Sequence, residues 1–174
     1  MDPIDQEILA EREGSVLTIT VNRPEKRNAR ASEHNVRIAE HILQAQFDPE
    51  IFLIAITGSG DRAFSAGADL SVARDQADRG ERNRGPLHAP ERSLFEVMID
   101  CPKPLLAVVN GPAVAGGFEL VLACDLCVAC DTAFFQVPEA KRGRGAHFSS
   151  VVLPQIVPPR IAMELALTGD MISA

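Results

Sequence analysis

No apolar run in this sequence approaches the roughly 18 residues that a membrane-crossing helix needs, so no span is expected. The opening residues, MDPIDQEILAEREG, are acidic. They lack the apolar segment behind a positive flank that marks a secretory signal, and they lack the Arg-rich pattern of a transit peptide, so neither is expected. Basic excess is missing too. With 17 Lys and Arg against 24 Asp and Glu, the formal charge is -7, which works against a nucleic-acid surface, whose phosphates call for clustered cations. The local basic cluster KRGRG at 141–145 reads first as a solvated loop. No internal repeat of fixed period is present.

Cysteine is sparse, with four in 174 residues. Three follow one another as Cys124, Cys127 and Cys130 in VLACDLCVACD, with Cys101 a distant fourth. The spacing could suggest a metal site, but metal-binding cysteines usually lie on turns with polar or Gly neighbours, whereas Val, Leu and Ala surround these. The expectation is buried, reduced thiols in a cytoplasmic protein, with no metal.

What is present is the balance of a globular protein: 46% hydrophobic and 24% charged residues, in a chain long enough for one well-buried domain spanning 1–174. EILAERE and SVLTITVN alternate like strands about Gly14 and predict a hairpin. Ser32 is a plausible N-cap for a helix through Phe47, with Val36, Ala39, Leu43 and Phe47 on one apolar face. IFLIAITGSG and KPLLAVVNG read as buried strands, each followed by a Gly-containing loop and a helix-like segment. That order predicts an α/β architecture with its chemistry on the loops after the strands. The stretch 74–91, rich in both charges with Gly and Pro, reads as a mobile surface loop.

Two of these loops stand out. AFSAGADL sets Ala68 after Gly67, and AVAGGFEL sets Gly116 and Gly117 where a helix begins. Small residues let a ligand approach the backbone, and N–H groups at a helix start favour negative charge. Facing each other, the loops could place two backbone donors on one oxygen, an oxyanion hole; alternatively the glycines only allow tight turns. Glu119 is a carboxylate in an apolar run, which calls for a buried Arg partner, a turn to solvent, or a chemical role.

The motifs NRPEKRNA, ITGSGDRAFSAGADL, NGPAVAGGFELVLACDL, FQVPEAKRG and AMELALTGDMISA follow one another in the order of the crotonase superfamily. From Ile8 onward the chain resembles enoyl-CoA hydratases most closely. The resemblance implies a crotonase-like spiral of repeated strand-strand-helix units acting on an acyl-CoA thioester, with coenzyme A part of the substrate and no separate cofactor. It implies Ala68 and Gly116 as oxyanion donors and Glu119 and Glu139 as the acid-base pair, Glu119 chiefly the base and Glu139 chiefly the acid. Lys26, Arg27, Ala29 and Ala66 become candidates for coenzyme A contacts, while Asp69 is expected to cap the next helix. For Glu139 an ordinary charged turn stays open, as does a solvated loop for Lys26 and Arg27.

The sequence also departs from the pattern. RGRGAHFSS follows Glu139 where an apolar residue, Pro and a Gly-rich turn are usual, placing His147 and Phe148 as candidate acyl-pocket residues. His147 could join the acid-base chemistry or be a packed structural residue. Arg30 replaces the more usual apolar residue after NA. Family chains also run further, and the helices beyond this point build a trimer or hexamer in relatives, so assembly is expected only for a complete chain. The hydratase reading has two rivals: an enoyl-CoA isomerase, and a catalytically silent acyl-CoA binder.

Overall fold

The computed structural model describes residues 3–72 and 92–174. The charged stretch 74–91 expected to be a mobile loop lies outside the described residues. A single-turn helix α1 (Ile4–Glu7) leads into β1 (Ile8–Glu13), which turns at Gly14 (φ 59°) and pairs antiparallel with β2 (Val16–Val21), as the alternation predicts. Leu17, Ile19 and Val21 face inward from β2. Next come α2 (Ser32–Phe47) and β3 (Leu53–Gly58), then α3 (Leu94–Ile99) and β4 (Leu105–Val109). With β6 (Leu126–Ala129) these strands form a sheet of order β1-β2-β3-β4-β6, parallel from β2 to β6.

Helix α2 covers this sheet with a different face from the one expected. Of Val36, Ala39, Leu43 and Phe47 only Ala39 is buried, and Phe47 is 81% exposed. The inward face is His34, Ile38, Ala39, Ile42 and Ala45. Two apolar stripes compete on this helix, and a polar anchor accompanies the one that packs inward. His34 Nδ1 accepts the Ala31 N–H at 2.9 Å while Nε2 meets Glu7 Oε2 at 2.5 Å. Ala31 therefore occupies the N-cap and Ser32 is already helical.

A second sheet, β5 (Ala113–Val114), β7 (Phe134–Gln136) and β8 (Met171–Ser173), stands apart in the order β5-β7-β8. Helix α4 (Gly116–Leu122) lies between β5 and β6, a 3-10 turn (Pro138–Arg142) follows β7, and α5 (Phe148–Ile156) and α6 (Pro159–Thr168) complete the order. The result is the expected mixed α/β architecture. Its core runs through Ile38 and Ile42 of α2, Ile54, Ile56 and Leu105 of the sheet, and Leu120 of α4. None of the cysteines is fully buried, and Cys127 lies exposed on the outermost strand, against the expectation for these thiols. Burial pushes the Cys124 thiol up to about 12, so it stays protonated.

Helix α4 packs against the end of the loop after β3 with no space for a side chain. A Cβ on Gly117 would fall 2.1 Å from the Ser65 carbonyl oxygen, far inside contact distance. Gly117→Ala is expected to cost at least about 2 kcal/mol in denaturant unfolding, since backbone cannot yield as a side chain does. Gly145→Ala, whose Cβ meets nothing within 4 Å, is expected to leave stability within about 0.5 kcal/mol.

Candidate active site

The loop after β3 is held on both sides by backbone hydrogen bonds. Ala66 N–H gives to Arg27 O at 2.9 Å, Arg30 N–H to Gly67 O at 2.8 Å, and Asp69 N–H to Arg30 O at 2.8 Å. On the other flank Phe64 N–H gives to Pro112 O at 3.0 Å and Val114 N–H to Ser65 O at 3.0 Å. Asn28, fully buried, joins the set: Oδ1 accepts the Arg23 N–H at 3.0 Å and Nδ2 donates to Ser59 O and Ala63 O at 2.9 and 2.8 Å. Its αL backbone (φ 55°) is one that Asn tolerates better than most residues.

These bonds bring Ala68 and Gly116 together. A Cβ on Gly67 (φ 88°) would lie 2.9 Å from the Gly116 nitrogen, and one on Gly116 would lie 3.9 Å from the Ala68 nitrogen. Ala115 turns the chain from β5 into α4 through φ 53° and ψ -127°, an uncommon region for a residue with a side chain. Beside them opens a cleft of about 550 Å³. Ala66, Ala68 and Leu70 line it from the first loop, Val114, Ala115, Gly116 and Glu119 from the second, and Pro138, Glu139, Arg142, Arg144, Gly145 and His147 from the far wall.

The two glutamates have unlike surroundings. Glu119, one turn past Gly116, is 6% exposed, and its Oε1 accepts the Ser149 N–H at 3.0 Å and the Ser149 hydroxyl at 3.2 Å. A turn to solvent is thereby excluded. Glu139 is half-buried, with Oε2 shielded and lacking a hydrogen-bond partner. Burial pushes its carboxyl up and the charge of Glu119 adds to this, while its own backbone and His147 pull the other way. Arg30 is also buried, at 4% exposure: burial lowers its guanidinium to about 10 while the charge of Glu119 opposes the fall.

Not every expected residue reaches the cleft. Phe148 does not line it; its ring stacks on Phe95 at 4.7 Å between centroids, because α5 turns that position toward α3. His147 does line it, just ahead of α5. Lys26, Arg27 and Ala29 gather on the outer side of the first loop. Lys26 Nζ reaches Asp69 Oδ2 at 3.3 Å, Arg27 is exposed, and the Ala29 carbonyl accepts Arg23 Nη1 at 2.6 Å. Asp69 does cap the following residues, accepting the Ser71 N–H at 3.1 Å, and it also pairs with buried Arg23 at 3.0 Å. The roles of Arg23, Asn28, Ser149, Arg142 and Arg144 were not read from the sequence. The charged RGRG run directly after Glu139 was the available signal for the last two.

The enoyl-CoA hydratase/isomerase family profile matches residues 11–174. The chain belongs to this family. Carnitinyl-CoA dehydratases of Escherichia coli and Salmonella are 40% identical over 164 residues, which is 94% of this chain and 61% of those proteins. Among solved structures, an enoyl-CoA hydratase from a Polaromonas species superposes with a TM-score of 0.85 at 34% identity, covering 96% of this chain and 65% of that one. A carnitinyl-CoA dehydratase from Mycobacterium avium gives 0.83 at 41% identity, covering 97% and 64%. The chain thus spans less than two thirds of the length of these enoyl-CoA hydratase/isomerase relatives, in line with the expected shortfall.

Burial works against a charged Asp69, but hydrogen bonds from Ser71, Arg23 and Lys26 outweigh it and hold the carboxyl well below the ordinary range. Asp69→Asn is expected to lose roughly 3 kcal/mol of stability at pH 7, because it leaves Arg23 buried with a weaker partner. The parent's advantage should be complete above about pH 4 and vanish as acid protonates Asp69, a trend read from unfolding midpoints across pH.

Proposed function

We propose that this chain carries the site for adding water across the 2,3 double bond of a 2-enoyl-CoA thioester. The observation that carries the reading is that two carboxyl groups in opposite environments line one cleft, beside two neighbouring backbone nitrogens. The thioester carbonyl would sit between the N–H groups of Ala68 and Gly116, which stabilise its oxygen as it gains charge. Glu119, accepting two hydrogen bonds from Ser149, takes a proton from water as the water oxygen bonds to C3. Electrons of the double bond move toward the thioester oxygen, and Glu139, whose hold on a proton burial strengthens, gives a proton to C2. Removal of water from a 3-hydroxyacyl thioester is the same path run backwards.

Coenzyme A enters as part of the substrate, and no metal or prosthetic group is called on. In this reading Lys26 and Arg27 would meet its phosphates, and the backbone near Ala29 and Ala66 its adenine end, as the family resemblance implies. The His147 and Arg144 wall bounds the acyl end. Assembly as a trimer or hexamer, and a cytoplasmic setting, are proposed with this reading for the complete protein. No helix among the described residues is long and apolar enough to cross a membrane.

Loss of the enoyl-thioester absorbance of crotonyl-CoA tests the reading. Glu119→Gln and Glu139→Gln are each expected to slow it by about 100- to 10,000-fold, the usual contribution of a positioned acid or base. Activity is expected to fall on the alkaline side as Glu139 loses its proton. Double-bond migration in a 3-enoyl-CoA without hydration would replace this reading with an isomerase. Thioester binding without turnover, unchanged in both Gln variants, would replace it with a silent binder.

A further inference from the structure

The basic run 141–145, which reads from the sequence as a solvated loop, divides in the structure. Lys141 does not line the cleft; its Nζ meets Asp170 Oδ1 at 3.0 Å. Arg142 and Arg144 do line it, both exposed, on the far wall. Their backbone is fixed by the 3-10 turn that begins at Pro138: Gly143 N–H gives to Ala140 O at 3.1 Å, and Arg144 N–H to Glu139 O at 3.0 Å. Both arginines are thereby tied to the segment that carries Glu139. Among the described residues neither guanidinium has an ion-pair or hydrogen-bond partner, since Glu119 Oε1 is taken up by Ser149 and Glu139 Oε2 is left without a bond. Two cations on one wall of the cleft are unspent.

Whatever reaches that wall must deal with their charge. An apolar acyl tail would strip water from two guanidinium groups and offer no acceptor in return, a cost without a gain. A carboxylate at the end of the tail accepts from either planar fork, in charge-assisted hydrogen bonds. We propose that Arg142 and Arg144 are specificity-determining residues, and that the acyl group taken by this cleft ends in a carboxylate remote from the thioester, a 2-enedioyl rather than a simple alkenoyl group. This deepens the hydration reading and rests on it for the orientation of the thioester, with the carbonyl at Ala68 and Gly116. Because both side chains are exposed, solvent and salt screen them, and the expected preference for the charged tail is about tenfold rather than thousands.

The test is isothermal titration calorimetry of the chain with two saturated thioesters of matched shape: adipoyl-CoA, which ends in a carboxylate, and 6-methylheptanoyl-CoA, which ends in an isopropyl group. The parent is expected to bind adipoyl-CoA about tenfold more tightly, with the ratio shrinking as salt rises. In the double variant Arg142→Gln with Arg144→Gln the ratio is expected to fall toward one; both positions are exposed, so folding is not at stake. A parent that binds adipoyl-CoA no more tightly than its isostere, binding of neither included, overturns the proposal. A double variant that keeps the parent's ratio overturns it too, and equal weakening of both thioesters would assign the arginines to the phosphates of coenzyme A instead. Turnover of crotonyl-CoA, followed alongside, separates the two readings. A charge preference without hydration supports the carboxylate site and overturns the hydration reading, whereas hydration without a preference does the reverse.

Discussion

Asn28 Nδ2 gives its two hydrogens to the carbonyls of Ser59 and Ala63, while its Oδ1 takes the Arg23 N–H and its own carbonyl takes the Ser65 hydroxyl at 2.8 Å. Through this buried amide, the segment after β2 and the loop after β3 become one rigid piece. Everything at the site follows from that fusion. With Asn28 fixing the spacing of the two segments, Arg30 N–H gives to Gly67 O and Asp69 N–H gives to Arg30 O, and Ala68 then meets Gly116 across the neighbouring strand end. Burying an amide with every polar atom satisfied costs little, whereas leaving one unmade would cost the full desolvation of that group.

Charge is arranged in two layers around this frame. The outer layer, Arg23, Lys26 and Asp69, is an ion-pair cluster that holds the first loop down, with Arg23 Nε also 3.3 Å from Glu7 Oε2. The inner layer, Arg30, Glu119 and Glu139, is left incomplete, with shielded atoms on Arg30 and Glu139 that have no hydrogen-bond partner. Asp69 pairs with Arg23 and Lys26, whereas Glu119 accepts hydrogen bonds from Ser149, although both are buried acids.

The hairpin, the two buried strands and the Gly-rich helix start were legible because each is a local pattern of alternation, apolar run or small residues. The α2 face was misread because periodicity admits two apolar stripes, and the tie from His34 to Glu7 spans 27 positions. The stacking of Phe148 on Phe95 was not legible because Phe95 sits on a helix far back in the chain. The bonds from Ser149 to Glu119 and from Arg23 to Asp69 cross 30 and 46 positions, distances at which no local signal pairs one polar residue with another. Arg30 was visible as a departure from pattern, yet only its burial and its bond to Gly116 O give that departure a physical meaning.

Ala115 closes the picture. It bends the chain into α4 through a backbone region that alanine enters at a cost of about 1–3 kcal/mol, and that bend aims both Gly116 and Glu119 at the cleft. Glycine would relax there, at the expense of a looser aim. Durability and aim therefore pull this one position in opposite directions.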